Sequence, residues 1–261
     1  MNNWIAVSRT EHANTYFWPR QGYGFAAKDQ VVPVLIAELT KLLPHYALGF
    51  IQRGDSYQPV ALTGLGGERN LYLHSDGRWL ASYVPSVLRG YPFALANAES
   101  GPQVLAIEQG SITDDESAQR LFNEEGQLTS GAQQTVAFLT ECEKNRQLTS
   151  MACQALSQAG VIEAWPLQIN RGEGQEPLKV QGLYRINEQA LNQLDAETFS
   201  KLRSYGASAL AYAQLFSMGQ LSQLTERAEF HAKEQAAEQS AKSLDGLMGN
   251  GGDTFSFNFN N

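Results

Sequence analysis

Residues 78 to 91 hold the densest concentration of side chains that could recognise a ligand. They include two arginines and three large aromatic residues: Arg78, Trp79, Tyr83, Arg89 and Tyr91. A guanidinium can clamp a carboxylate or another anion through paired hydrogen bonds, and Trp and Tyr are enriched at the centres of binding sites. The cluster is therefore a candidate binding surface. The competing interpretation is that Trp79 and Tyr83, which would share one face of a strand, pack inward.

His74 and Asp76 form an H-x-D pair, a spacing that can belong to a two-histidine, one-carboxylate iron site. The later histidine is His231, on a charged segment that we expect to lie beyond the core. Asp76 is also followed by Gly77, and Asp-Gly favours a tight turn in which the aspartate bonds its own backbone. We therefore predict a turn here, and no metal or cofactor site.

Motifs for nucleophilic catalysis and phosphate binding are missing from the sequence. There is no G-x-S-x-G elbow, and the glycines of residues 64–67 are not followed by the Lys-Ser/Thr of a phosphate-binding loop. Cys142 and Cys153 fall on one predicted helix about 16 Å apart, which favours reduced thiols over a disulfide. An enzyme of unrecognised mechanism, hydrolytic or modifying, is the alternative to a binding protein. It would require titratable residues to converge in one pocket, and the candidates are Glu38, His45, Asp76, Arg78 and Arg89.

Short apolar runs separated by turn residues predict an antiparallel sheet between residues 46 and 107. A helix is predicted from Pro33 to about Leu43. A long helix over 130–159, a hairpin over 161–186 and helices beginning at Asn187, Asp195 and Gln220 follow. The predicted fold is α+β, a central antiparallel sheet of short strands and hairpins packed by C-terminal helices.

The sequence divides into one domain, residues 1–244, and a Gly- and Asn-rich tail, residues 245–261, that we expect to be disordered. Phe255, Phe257 and Phe259 alternate with polar residues in this tail, which is the pattern of a strand with one apolar face. The three phenylalanines are therefore further candidate binding residues, able to add a strand to a sheet edge of their own domain or of a partner.

The composition disfavours binding to nucleic acid and to anionic membranes and predicts no transmembrane segment. The chain has 261 residues, 43% of them hydrophobic, and a net charge of -8. It has no basic patch, no apolar run of about 20 residues and no N-terminal signal-peptide pattern. We expect a cytoplasmic protein that associates with the cell envelope through a partner.

Several motifs together resemble the SapC family, a bacterial family named from a surface-layer gene cluster. The central string contains Asn70-Leu71-Tyr72, Asp76-Gly77-Arg78-Trp79, Tyr83-Val84-Pro85 and Arg89-Gly90-Tyr91-Pro92-Phe93. Gly182-Leu183-Tyr184-Arg185-Ile186 and Tyr212-Ala213-Gln214-Leu215-Phe216-Ser217 extend the resemblance, which covers roughly residues 10 to 225. Gly90 departs from it, since a second basic residue is common there.

The resemblance implies a role alongside surface-layer or outer-membrane proteins, and it brings no established catalytic mechanism. Together with the missing catalytic motifs, it favours a non-enzymatic binding or accessory protein with a bacterial polypeptide partner.

Overall fold

The structure, a computed structural model, describes residues 3–64, 66, 69–97, 103–169 and 178–248. The strands in these residues are β1 Trp4–Ala6, β2 Tyr16–Phe17, β3 Val31–Pro33, β4 Leu48–Arg53, β5 Ser56–Leu62, β6 Phe93–Ala96, β7 Val104–Glu108, β8 Ile112–Thr113, β9 Gln119–Arg120, β10 Ile162–Ala164, β11 Gln168–Ile169, β12 Leu178–Lys179 and β13 Leu183–Ile186. The α-helices are α1 Leu39–Leu42, α2 Ser86–Arg89, α3 Ser130–Gln158, α4 Glu188–Asn192, α5 Ala196–Lys201, α6 Ala207–Ser217 and α7 Leu221–Met248.

The strands form separate antiparallel sheets, and the α+β prediction is confirmed. The large sheet has the order β10-β13-β4-β5-β3, and a three-stranded sheet has the order β1-β7-β6. Two smaller sheets have the orders β8-β2-β9 and β11-β12. The predicted central sheet thus contains strands from both halves of the chain. The β6-β7 hairpin lies outside it, in the three-stranded sheet with β1.

The main core lies between the large sheet and helices α3 and α6. Phe50, Leu62, Leu156, Ile186 and Leu210 are all at most 1% exposed. Burial of apolar surface of this kind contributes about 25 cal/mol per Å² to folding.

Two polar residues of α6 fix the helix to the large sheet. The Gln214 side chain accepts from the Ile186 backbone N–H at 2.9 Å and donates to the Leu48 carbonyl at 3.2 Å. The Ser217 hydroxyl accepts from the Leu48 N–H at 2.9 Å. Because buried polar groups are stable only when paired, these bonds set one position for α6 on the sheet.

The helix predicted from Pro33 is wrong at its start. Val31–Pro33 is the edge strand β3, and Pro33 lies opposite Val60 of β5. An edge strand tolerates proline because the missing N–H can face away from the ladder. A 3-10 turn over Ile36–Glu38 then leads into the short helix α1.

The turn predicted at Asp76-Gly77 is confirmed, but the strands on either side of it are wrong. Gly77 has φ of +87°, and Leu73 and Trp79 form only an isolated bridge. Side chains of α7 bond the carbonyls that neighbouring strands would otherwise use. His231 lies 3.0 Å from the Leu71 oxygen, and Arg227 donates to the Leu80 oxygen at 3.1 Å.

The single helix predicted to begin at Asp195 is divided in two, α5 and α6. Asp195 caps α5 as expected, since its carboxylate accepts from the Thr198 N–H at 2.9 Å. The chain then leaves the helical region at Tyr205 and Gly206, with φ of +57° and +74°. Gly206 adopts this left-handed conformation without the Cβ penalty that Tyr205 has.

The other predicted helices match the structure closely. The helix predicted over 130–159 is α3, and the one predicted from Gln220 is α7. α7 continues to Met248, so the first four residues of the segment expected to be a disordered tail are helical. Asn187 caps α4 by accepting from the Ala190 N–H at 2.9 Å. None of the helices in the described part of the chain has the length and apolar character needed to cross a bilayer.

Candidate functional site

A buried carboxylate lies where the 3-10 turn before α1 meets α2. Glu38 is 4% exposed. Its oxygens accept from the Leu35 N–H at 3.0 Å, the Tyr83 hydroxyl at 2.8 Å, the Ser86 N–H at 2.6 Å and the Ser86 hydroxyl at 2.8 Å. These four donors replace the water that the carboxylate gives up on burial.

Tyr83 connects this buried carboxylate to an exposed arginine. Arg89 donates to the Tyr83 hydroxyl at 3.2 Å, and its guanidinium lies 4.9 Å from the centre of the Phe138 ring. Burial raises the pKa of Tyr83 above its usual range, and the hydrogen bond to Glu38 adds to this. The phenol therefore stays protonated and acts as a donor to Glu38.

Trp79 belongs to an aromatic stack below this network rather than to the surface. Its indole N–H donates to the Tyr46 hydroxyl at 2.7 Å, and its ring lies 5.9 Å from that of Tyr72. The Tyr46 hydroxyl donates in turn to the Tyr83 carbonyl. Burial raises the pKa of Tyr72 to about 12. Trp79 thus follows the inward-packing interpretation and has a partner for its polar tip.

Next to the Glu38 network opens a cleft of about 770 Å³ between the large sheet, the three-stranded sheet and α3. We call it the two-edge cleft. Trp4, Phe25 and Tyr91 supply aromatic surface, with the Phe25 and Tyr91 rings stacked at 4.0 Å and Trp4 39% exposed. Ser86 and Cys142 place one end of the cleft against the Glu38 network.

One wall of the cleft is an open edge of β5. In an antiparallel strand, each residue directs its N–H and C=O to the same side, and successive residues alternate between the two sides. The Leu62 N–H donates to Ala47 on the β4 side, while the Pro59 carbonyl accepts from Val34 on the β3 side. Tyr57 therefore directs its N–H and C=O to the β3 side, beyond the point where β3 pairs with β5. Among the described residues neither group has a partner.

The opposite wall is an open edge of β6. The Glu108 N–H of β7 donates to the Pro92 carbonyl, so Ala94, which pairs with Ala106, also faces β7. Leu95 then directs its N–H and C=O away from β7, and no described residue bonds them. Residues 93–95 of β6 and 56–58 of β5 line the same cleft.

Further polar groups in the cleft are available to a ligand. The Gln58 Oε1 atom is buried and has no hydrogen-bond partner among the described residues. Arg146 is paired with Glu143 at 2.5 Å, whereas Arg53 is exposed and has no ion pair within the described part of the chain. The described lining thus carries one uncompensated positive charge.

The two cysteines have different surroundings. Cys153 is 1% exposed, and burial raises the pKa of its thiol to about 12. Cys142 is half-buried and lines the cleft, where burial also raises its pKa and the Ser86 hydroxyl offsets part of that effect. Neither thiol has the lowered pKa of a catalytic nucleophile.

The structure distributes the sequence-predicted site residues over several places. Arg89 and Tyr83 share the Glu38 network, and Tyr91 lies in the cleft. Arg78 instead pairs with Asp76 at 3.1 Å on the surface. Phe255, Phe257 and Phe259 lie outside the described residues.

The residues proposed for an enzyme do not form one pocket. His45 lies 2.7 Å from the Ser82 hydroxyl, and Arg78 belongs to the Asp76 turn. Glu38 and Arg89 are linked through Tyr83, and Asp76 and Arg78 pair with each other in a separate place on the surface.

The expectation that His231 lies beyond the core is wrong. His231 is 3% exposed, and Glu234 lies between it and His74, at 3.3 Å from the former and 2.9 Å from the latter. Packing of α7 over residues 71–80 brings these groups together. The sparse apolar residues of α7 gave no sign of this, because polar side chains make much of the contact.

No sequence motif pointed to the two strand edges or to the aromatic residues Trp4 and Phe25 of the cleft. A strand edge becomes visible only when the neighbours of each strand are known. Pro59, which removes a donor beside Tyr57, is the one local signal for an edge at β5.

A comparison with protein-family models finds a match to the SapC model over residues 7–224. No curated protein and no solved structure matches the chain.

Proposed function

This chain belongs to the SapC family, and we propose that it is a non-enzymatic accessory protein that binds an extended polypeptide segment in the two-edge cleft. The partners would be surface-layer or outer-membrane-associated polypeptides. We place the protein in the cytoplasm and at the cell envelope through such a partner. The observation that carries the proposal is that open edges of two different sheets line one cleft.

An extended segment can use both edges. The backbone N–H and C=O groups of Leu95 on β6 and Tyr57 on β5 are available on the two walls. A strand that enters between them pairs through its own backbone, which gives affinity with little dependence on sequence. The buried Gln58 Oε1 adds an acceptor for a further donor of the ligand.

The aromatic surface and the charge of the cleft would supply the selectivity. Trp4, Phe25 and Tyr91 offer large apolar contact area for alternate side chains of the bound segment. Arg53 offers a site for an acidic residue near one end. The preferred segment therefore has apolar residues at every second position and a flanking acidic group.

The Glu38 network supports binding over an enzymatic role. All four donors around the carboxylate are protein groups, so Glu38 is held in place and has no described route to exchange a proton with a ligand. We assign it the task of holding the wall of the cleft at Ser86. The surface-layer association of the family name is the support for the class of partner.

A site-specific photo-crosslinker tests this function. The crosslinker replaces Leu95 in the full-length protein and, as a control, Glu197, which is 80% exposed on α5. Expression in cells that carry the natural partners should yield envelope polypeptides crosslinked at position 95 and not at 197. Equal capture at both positions would contradict the proposal.

Peptides from the captured polypeptides then test the mechanism. Leu95→Pro removes the β6 N–H that has no partner among the described residues and should weaken peptide binding at least tenfold. Ala6→Pro is the matched control, because Ala6 lies on the outer side of β1, where its N–H also faces away from β7. Unchanged binding to Leu95→Pro would exclude strand addition at β6.

A further inference from the structure

We propose that the segment from Phe255 to Phe259 of the same chain occupies the two-edge cleft as an added strand and competes with the partner polypeptide. This inference rests on the function proposed above and adds its regulation. The occupant is defined by its sequence, by the chemistry of the cleft and by the length of chain that connects them.

The sequence of the segment fits a strand between two edges. Phe255, Phe257 and Phe259 would share one face, and polar Ser256 and Asn258 the other. The segment has no proline, so every residue can donate and accept on one side or the other. Five residues of strand span about 17 Å, a length comparable with that of the four-residue β6 and the seven-residue β5.

The apolar face of the segment matches the aromatic wall of the cleft. Phe25 and Tyr91 present a stacked pair of rings, and Trp4 lies 6.4 Å from Tyr91 in an edge-on orientation. Phenylalanine rings pack favourably against such surfaces in offset or edge-to-face geometry.

The charges are complementary. Asp253 is the one charged residue in positions 249–261 and stands two positions before Phe255. Arg53 is the exposed cation of the cleft that has no ion pair in the described part of the chain. With the phenylalanines in the cleft, we therefore assign Arg53 as the partner of Asp253.

The connection along the chain is long enough. Glu234 of α7 bonds His74 at 2.9 Å, next to Asp76. Asp76 lines a shallow pocket with Phe25 and Tyr91, and both of these residues also line the cleft. From Glu234, α7 continues for about 21 Å to Met248. The nine residues from there to Phe257 span up to about 30 Å when extended. This exceeds the length of α7 beyond Glu234, so the segment can turn back toward the side of the domain where Asp76, Phe25 and Tyr91 lie.

The test uses the full-length protein and a fluorescein-labelled peptide of residues 253–261. The variant F255S/F257S/F259S leaves the cleft without its own occupant. It should bind the peptide at least tenfold more tightly than the wild type, because a tethered segment has an effective concentration in the millimolar range. A peptide with the same three Phe→Ser changes should not bind.

Two further arms locate the peptide. Adding Leu95→Pro to the triple variant should abolish peptide binding, and adding Ala6→Pro should preserve it. Peptide binding that is equal in the wild type and the triple variant would overturn the inference, as would binding to neither protein. Competition in the wild type that disappears on dilution would also overturn it, because the segment would then act between two copies.

The same variants separate this inference from the proposed function. Crosslinking of envelope polypeptides at position 95 of the triple variant, without binding of the tail peptide, would sustain the function and overturn the competition. Tail binding without any crosslinked foreign polypeptide would overturn the function and leave the segment as the ligand of its own domain.

Discussion

Two regions that meet at Ser86 differ in how fully their hydrogen-bonding groups are used. On one side, Glu38 accepts four hydrogen bonds in the interior of the domain. On the other, Tyr57 and Leu95 direct backbone groups into the two-edge cleft without a described partner. A fully paired buried group contributes to stability, whereas an unpaired strand edge is a template for another chain. Stability and binding are therefore assigned to adjacent but separate groups.

The largest expected effect is the loss of the buried charge. Glu38→Gln presents an amide NH2 to donors that need an acceptor, so it should lower the free energy of unfolding by about 3 kcal/mol. Urea unfolding measures this change. The control is Glu197→Gln, since Glu197 is 80% exposed and its removal should change stability by less than about 0.5 kcal/mol. If both substitutions lowered the free energy of unfolding equally, the four hydrogen bonds of Glu38 would contribute no more to stability than an exposed carboxylate.

The buried tyrosine stack should make the domain sensitive to alkali. The pKa of Tyr72 is raised from 10.0 to about 12, so the folded state favours the neutral phenol. The neutral phenol stabilises the folded state fully below pH 10, and this stabilisation is lost as the pH rises toward about 12. The expected loss in the free energy of unfolding is on the order of 2 kcal/mol. Urea midpoints at increasing pH measure it. Tyr72→Phe should show a smaller loss over this window, and parallel pH profiles for the two proteins would contradict the assignment.

The attachment of α7 should depend on its polar residues. His231→Ala removes the contacts to the Leu71 carbonyl and to Glu234, with an expected cost of about 1 to 2 kcal/mol. Hydrogen exchange should increase in α7 and in residues 71–80. Lys233→Ala, two positions further along on an exposed site, is the matched control. Unchanged exchange in His231→Ala would mean that apolar contacts alone hold the helix.

The smallest expected effect on stability lies at the cleft. Leu95→Pro removes an N–H without a described partner and should cost less than about 1 kcal/mol. Ala94→Pro removes a donor that faces β7 and should cost about 3 kcal/mol. Comparing the thermal unfolding of the two variants shows which β6 residues donate their N–H groups to β7. If Leu95→Pro were the more destabilising of the two, Leu95 would face β7 and Ala94 would form the open edge.

The sequence predicted the parts of this molecule that depend on local chemistry. Asn187 and Asp195 are helix caps and Asp76-Gly77 is a turn, as expected. Each of these features is set by the conformational preferences of a few adjacent residues.

The sequence did not predict the features that depend on distant contacts. Pro33 was assigned to a helix because proline is common in a first turn, although pairing with β5 makes it part of an edge strand. His231 was placed outside the core because it lies on a charged segment, whereas its burial depends on its position next to His74 and Glu234. The cleft itself arises where edges of two sheets come together, and no sequence window contains both.

The different surroundings of the two thiols give the protein a built-in chemical probe. An alkylating reagent in mildly alkaline solution should modify Cys142 and leave Cys153 unreacted, since the latter is 1% exposed with a pKa of about 12. The rate of modification then reports the occupancy of the two-edge cleft in the unaltered chain. A bound strand, whether foreign or from the chain's own tail, should slow the reaction in proportion to the fraction of molecules it occupies.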